Sequence, residues 1–390
     1  MIKNRDDAIL KRKILYITGT RADYGLMQSV LKAIEEHPKL ELEIVATGMH
    51  LMPEFGLTII EIKKDGFNIH AIEATYEDDN KESMTIFVGK FIQLLTNKVI
   101  EIKPDIILLL GDRGEMLAGA IIGAYLTIPV AHIHGGDITS TVDEPIRHAI
   151  TKLANIHFPA TENSAERITK MGEDHAKVFV VGASGLDTIL SEKLIAPEEL
   201  SKRYNLNLSK PIILVVQHPV TTEVEDAPNQ IHETLEAISE LNYQTILIYP
   251  NADAGGRIMI EVIKEYEKYP FIRTFKSIPR KEYLSLMNIA SVMVGNSSSG
   301  IIEAPSFGLP VVNVGSRQEG RERAENVMDV NYDKEQNKAA IKKALDDEKF
   351  KEKVKNCKSP YGKGKAGVRI ADILSEIKID KKILQKRLTY

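Results

Sequence analysis

Short apolar, β-branched runs alternate along the chain with longer stretches of helical period. The runs KILYIT (13–18), LEIVAT (42–47), DIILLL (105–110), PVAHIH (129–134), IHFPA (156–160) and KVFVV (177–181) read as strands. A second series follows in PIILVVQ (211–217), QTILIY (244–249), FIRTFKSI (271–278), ASVMVG (290–295) and PVVNVG (310–315). Unbroken apolar runs of this length suit strands covered on both faces, as in a parallel sheet. Amphipathic stretches such as YGLMQSVLKAIEEH, KESMTIFVGKFIQLLTNKVIEIK and NQIHETLEAISEL lie between runs and supply the crossover helices. Two such series predict an α/β protein built from two Rossmann-like, doubly wound domains.

The polar segment 183–210, with one helix-like stretch and no strand signal, marks the boundary. It divides the chain into an N-terminal domain over 1–182 and a C-terminal domain over 183–365. The tail 366–390 contains the helical pattern GVRIADILSEI and can pack back on either domain, with the N-terminal domain as the option to check first. The uncharged stretch LAGAIIGAYLTIPVAHI (117–133) is broken by Pro129 and falls short of the ~20 apolar residues of a spanning helix. It reads as a buried helix followed by a buried strand.

The bulk numbers narrow the function classes. With 390 residues, 43% of them hydrophobic, the chain can bury a large interior. Its 51 basic and 55 acidic residues give a formal charge of −4, without the basic excess of a nucleic-acid binder. Cys357 is the lone cysteine, so neither an intrachain disulfide nor a thiolate metal cage can form. One thiol and a charged start without an apolar leader core (MIKNRDDAILKRK) point to a cytoplasmic protein with no membrane segment.

Polar and Gly-rich residues crowd after the predicted strand ends, where open parallel sheets bind ligands. GNSSSG (295–300) precedes a helix-like segment; such a helix start offers free N–H groups and a positive dipole end to a phosphate, with Ser297 and Ser298 adding hydroxyls. Its bland alternative is a serine N-cap. Arg21 and Asp23 follow the first strand. Arg21 can fork onto a phosphate or carboxylate, while Asp23 also suits a helix cap. No G-x-G-x-x-G fingerprint is present there, which argues against a dinucleotide.

Asp112 and Arg113 end the run DIILLLGDR, where burial can turn an aspartate into a base or the two can simply pair. His132, His134 and Asp137 lie in HIHGGD. On a strand the two imidazoles share a face and can in principle chelate a metal, but acid/base or hydrogen-bonding roles fit better. In DEPIRHAITK, Asp143 and Arg147 are four residues apart on a helix and either pair with each other or split. In the split version Asp143 enters the cleft and Arg147 orients neighbouring carboxylates. His218 in QHP ends the first strand of the second series. Glu303 follows the serine loop at a position suited to ribose hydroxyls. Arg317, Arg321 and Arg323 in GSRQEGRER add cations.

Taken together, TGTRADYG, LGDR, HIHGGD, DEPIRHAITK, QHPVTT, NADAG, GNSSSG, GSRQEGR and ENV resemble the hydrolysing UDP-N-acetylglucosamine 2-epimerase family of sialic acid and related nonulosonate biosynthesis. They run in order from residue 13 to 328. The resemblance implies a GT-B arrangement with the active site in the cleft between two domains. It also implies a UDP-sugar substrate, neither metal nor nicotinamide cofactor, and a homodimer or homotetramer. Asp112 and Asp143 match acid/base positions of the family, and His134 stands where the animal branch has a glutamate. The choice of base and acid among Asp112, His134, Asp137 and Asp143 stays open. Arg21, Arg113, His218, Ser297, Ser298 and Arg317 match diphosphate positions, and Glu303 matches the ribose ligand. Ser277 and Ile278 fall where backbone groups meet uracil, with Asn251 alongside. Non-hydrolysing relatives carry Arg-Pro-Glu in the first loop, so Arg-Ala-Asp-Tyr here favours the hydrolysing branch. A non-hydrolysing epimerase and a UDP-sugar binding module without turnover are the alternatives.

Overall fold

The computed structural model describes residues 11–78, 80–139, 142–191 and 193–389. Two six-stranded parallel sheets organise them. The first holds β1 (Arg12–Thr18), β2 (Leu40–Ala46), β3 (Ile69–Ala71), β4 (Ile106–Leu110), β5 (Val130–Ile133) and β6 (Ile156–Phe158) in the order β3-β2-β1-β4-β5-β6. The second holds β7 (Ile212–Val216), β8 (Gln244–Ile248), β9 (Ile272–Phe275), β10 (Val292–Gly295), β11 (Val311–Val314) and β12 (Val327–Val330) in the order β12-β11-β10-β7-β8-β9. Read from the other edge, this is the first order repeated, the doubly wound 3-2-1-4-5-6 arrangement. Strand order reverses between β1 and β4 and again between β7 and β10, so each sheet opens a crevice beyond those strand ends. The architecture is two Rossmann-like domains in a GT-B-like pair.

The apolar runs became strands because both faces of each sheet are covered. Along β4, Ile106, Leu108 and Leu110 enter one core cluster, while Ile107 and Leu109 enter the other. Along β7, Ile213 and Val215 face one layer, and Ile212, Leu214 and Val216 face the next. The helix Ala366–Glu376 packs on Arg21–Glu36 and joins the first domain's core through Ile370 and Leu374, both fully buried. Each such burial contributes roughly 1.5–3 kcal/mol. The stretch 117–133 divides into the helix Gly114–Leu126 and β5. Among the described residues no helix is long and apolar enough to cross a membrane.

Four details depart from the sequence pattern. KVFVV is not a strand: it makes one isolated bridge, His157 with Val178, then turns away at Gly182 (φ 86°), and the Ala183 N–H bonds Tyr361 O at 2.8 Å. The segment leaves the sheet because it has to cross to the second domain. The boundary region holds two helices, Gly185–Ser191 and Pro197–Tyr204, because Pro197 starts a new helix at its first turn. Strands β3 and β12 escaped the pattern because both are short, partly exposed edges carrying polar residues. FIRTFKSI ends as a strand at Phe275, which leaves Ser277 and Ile278 in a loop.

Candidate active site

The loop after β1 closes on itself. Thr20 caps the helix Arg21–Glu36 in a capping box with Asp23. The Asp23 carboxylate accepts from Gly19 N–H (3.1 Å), Thr20 N–H (3.0 Å) and the hydroxyls of Thr18 and Thr20. Burial still pushes Asp23 up to about 6. Arg21 reaches Glu61 at 3.4 Å but leaves Nη2 buried without a hydrogen-bond partner, and burial lowers it to about 10.

At the end of β4, Asp112 is ion-paired to Arg147, a residue 3% exposed on the helix Asp143–Leu153. Arg147 therefore pairs with Asp112 rather than with its helix neighbour Asp143. Its Nη1 also donates to Asp137 O at 3.0 Å and to Thr139 Oγ1 at 3.3 Å. Arg113 turns away from Asp112, toward Glu115 (3.4 Å) and across to Asp253 of the second domain (3.2 Å).

The two histidines of HIHGGD part company. His132 bonds Gly111 O (2.7 Å) and Thr151 Oγ1 (3.1 Å) inside the core, and burial pushes it down to about 3. His134 takes a left-handed backbone (φ 60°), which ends the strand and its alternation. Its side chain enters the cavity with Nδ1 at 3.3 Å from Asp137 Oδ2. Asp137 sits behind this wall and does not line the cavity. Ser164 Oγ donates to it at 2.8 Å, and Arg321 Nη2 lies at 3.2 Å. Among the described residues, no group of three or more His, Cys, Asp and Glu side chains is placed to hold a metal ion.

The second domain supplies the facing wall. Gly295 ends β10 with φ 123°, where an added Cβ would lie 2.2 Å from Val216 O. Only glycine lets β10 turn this close to β7. Asn296 then clamps His218 by accepting from its N–H (2.7 Å) and donating to its carbonyl (2.9 Å). The Asn251 N–H donates to His218 Nδ1 at 3.1 Å. Burial pushes His218 down to about 3, so the ring is neutral and carries its proton on Nε2, ready to donate. Ser297 caps the short helix Ser298–Ile302, and Tyr283 O–H and Ser299 Oγ bond each other beneath it. Arg317 Nη1 donates to Asn296 O at 3.1 Å. Glu303, 1% exposed, is ion-paired to Arg280.

A cavity of about 290 Å³ runs between the two walls. Of the site residues expected from sequence, Arg21, Asp23, Asp112, Arg113, His134, Asp143 and Arg147 line its first wall. His218, Asn251, Ser277, Ile278, Ser297, Ser298, Glu303 and Arg317 line the second. Asp137 stands back behind the wall, and His132 lies in the core. Sequence reasoning missed Arg280, Tyr283, Thr139 and Gln318, which also face the cavity. It passed over Asp253 too, although NADAG had been singled out and Asp253 carries the interdomain pair with Arg113. Of the two remaining cations in GSRQEGRER, Arg321 lines the cavity, and Arg323 pairs with Asp329 outside it.

The comparisons with known proteins agree on one family. The model of the UDP-N-acetylglucosamine 2-epimerase family matches residues 32–375. A Legionella pneumophila protein named UDP-N,N'-diacetylbacillosamine 2-epimerase (hydrolyzing) is 44% identical, over 97% of this chain and all of that one. A Neisseria meningitidis UDP-N-acetylglucosamine 2-epimerase is 37% identical over 87% and 89% of the two chains. A Campylobacter jejuni GDP/UDP-N,N'-diacetylbacillosamine 2-epimerase (hydrolyzing) is 35% identical over 82% and 84%. Among solved structures, a Neisseria meningitidis UDP-GlcNAc 2-epimerase bound to UDP-GlcNAc shares the fold, with TM-score 0.78 and 22% identity over 93% and 99% of the two chains. This chain belongs to the UDP-N-acetylglucosamine 2-epimerase family.

Proposed function

We propose that the protein is a hydrolysing 2-epimerase. It converts UDP-N,N'-diacetylbacillosamine or UDP-GlcNAc into the free, C2-inverted sugar (a 2,4-diacetamido sugar or N-acetylmannosamine) and UDP. One observation carries the reading: Asp112, His134 and Asp143 face Ser297, Ser298, His218 and Arg317 across a single cavity.

The reaction needs both walls at once. A base takes the C2 proton as the C1–O bond breaks and its electron pair leaves with UDP, giving a C1=C2 glycal. Water then adds to C1 while a proton returns to the opposite face of C2, so one water is consumed overall. In this reading Asp112, His134 and Asp143 carry the proton transfers. Arg147 holds Asp112 as an anion and Asp137 orients His134. Arg21, Arg113, His218, Ser297, Ser298 and Arg317 stabilise the departing diphosphate, as positive groups and N–H donors do in water-poor sites. Glu303 takes the ribose, Ser277 and Ile278 meet the uracil and Asn251 flanks it. The carboxylate of Asp23, already engaged by its own loop, shapes that loop. The word "hydrolyzing" in the Legionella and Campylobacter names supports water as the acceptor, and the 44% identity supports the diacetamido sugar as the first substrate to try. A cytoplasmic homo-oligomer goes with this reading. Exposed Ile86 and Ile100 on the helix Lys81–Ile102 and Tyr125 on the helix Gly114–Leu126 are the apolar positions at which a second copy would be sought.

The test is a product assay by NMR with UDP-GlcNAc and with UDP- and GDP-linked diacetylbacillosamine. Free 2-epimerised sugar plus nucleotide is expected. An epimerised sugar still linked to UDP would make the protein a non-hydrolysing epimerase. Release of UDP only with an added acceptor would make it a transferase, and binding without turnover a binding module.

A further inference from the structure

Where the loop after β11 meets the loop after β5, hydrogen bonds run unbroken from one domain to the other. Gln318 Nε2 donates to Asn296 O at 2.9 Å, which ties this loop to the residue that clamps His218. Arg321 Nη1 donates to Gln318 Oε1 at 3.0 Å, and its Nη2 donates to Asp137 Oδ2 at 3.2 Å. The same Asp137 oxygen faces His134 Nδ1 at 3.3 Å, while Ser164 holds the other oxygen at 2.8 Å. The two loops are in close contact, since a Cβ on Gly320 would lie 3.0 Å from Ile138 Cγ2. Gln318, Asp137, Ser164 and Asn296 are all buried.

We infer that Arg321 is a positioning residue that couples the nucleotide-binding wall to His134. Its planar fork places one arm in each domain, a geometry a lysine cannot reproduce. Fixing Asp137 Oδ2 fixes the ring orientation of His134 and the nitrogen that carries its proton. The left-handed backbone at His134 leaves that orientation to the side-chain partners rather than to the strand. A diphosphate that draws on Arg317 or the serine loop moves Asn296 and Gln318, and through Arg321 it reaches Asp137. The meaning of this coupling rests on the proposed function, in which His134 transfers a proton, but its existence can be tested without turnover.

The test uses full-length protein labelled with ¹⁵N-histidine and UDP alone as the probe. In the wild type, UDP is expected to shift the His134 imidazole resonances. In Arg321→Met the shift should vanish while UDP affinity stays within about 3-fold, because both arms of Arg321 are already taken by Gln318 and Asp137. With substrate, Arg321→Met should lower kcat about 10- to 100-fold at nearly constant KM, as for lost outer-shell partners of a reacting group. Arg321→Lys, which keeps the charge but not the fork, should recover part of it. In an Asp137→Asn background, Arg321→Met should cost no more than about 2-fold further, the signature of two residues acting in series. An unchanged His134 response in Arg321→Met, a parallel loss of UDP affinity, or full additivity with Asp137→Asn would each overturn the coupling. If Arg321→Met does not fold, Arg321→Lys carries the same NMR test. A wild type that binds UDP and shifts His134 without any turnover would defeat the proposed function and leave the coupling standing.

Discussion

The two walls of the cavity handle their polar groups in opposite ways. On the first wall the carboxylates and the imidazole are engaged by protein, Asp23 by its own loop, Asp112 by Arg147 and His134 by Asp137, while Arg21 keeps Nη2 without a hydrogen-bond partner. On the second wall donors point outward. His218 is fixed through Nδ1, which frees Nε2–H, and the cap at Ser297 accepts from Ser299 N–H at a long 3.4 Å. Pre-paired carboxylates suit chemistry in which a charge must be held in place, and open donors suit a guest anion. The difference teaches that two junctions of identical topology can be assigned different work from how their N–H and O–H groups are satisfied.

The largest break should come at Asp112. Asp112→Asn keeps the shape and a hydrogen bond to Arg147 but removes the charge, so kcat should fall about 10³-fold, within the range for a lost general acid or base. UDP affinity should stay within about 3-fold. A matching loss of UDP binding in a calorimetric titration would show that Asp112 holds the nucleotide rather than moving a proton, and the contrast between held carboxylates and open donors would fail. Asp23→Ala tests the same wall for stability. It strands the buried Gly19 and Thr20 donors and removes half a capping box, which should cost about 2–4 kcal/mol in urea unfolding. The remaining folded protein should lose no more UDP affinity than Arg21→Ala does, since Asp23 serves the nucleotide only by shaping the loop that carries Arg21.

Acid should weaken both domains, though not for the same reason at every group. His50, His132 and His218 are all held at about 3 by burial, far below the unfolded histidine value near 6.5. Each takes up a proton on unfolding below about pH 6.5, so its stability contribution is present above that pH and lost as pH falls. Asp23, raised to about 6, runs the other way and favours the fold as it protonates. Between pH 7.5 and 5.5 the three imidazoles cost about 4 kcal/mol together and Asp23 returns about 1, a net loss of about 3 kcal/mol. Urea midpoints at the two pH values measure it. A rise in stability on acidification would mean that Asp23 outweighs the histidines.

Much of this was readable before the fold. Apolar runs marked both sheets because every long strand is buried on two faces, and strand-end polar clusters named both walls because a doubly wound sheet gathers its ligand groups there. Which partner each charge chose was not readable. The i, i+4 rule favoured Asp143–Arg147, yet Arg147 crosses to Asp112, a contact set by how the helix Asp143–Leu153 lies against the helix Gly114–Leu126 and β5. The separation of His132 from His134 depended on a left-handed residue that is not a glycine, and no local pattern signals one. Arg280 and Tyr283 lay in a helix whose sequence resembles any amphipathic surface helix. Asp253 and Arg321 gain meaning only when two domains 100 or more residues apart are brought together.

The smallest effect separates the two capped loops. Ser297→Ala removes a cap whose hydrogen bond is already long, so stability should fall by less than about 1 kcal/mol. UDP affinity should weaken about 5- to 10-fold, because a hydroxyl donor to a charged phosphate is worth roughly 1.5–3 kcal/mol in a dry site, and here part of that is recovered by Ser298 and the neighbouring N–H groups. The matched change Thr20→Ala in the first domain should do the opposite: about 1 kcal/mol of stability lost with the capping box, and UDP binding unchanged. Paired urea titrations and UDP calorimetry on the two variants decide the matter. If Thr20→Ala weakens UDP binding more than Ser297→Ala does, the anion sits against the first helix start, and the open cap on the second is only a helix end.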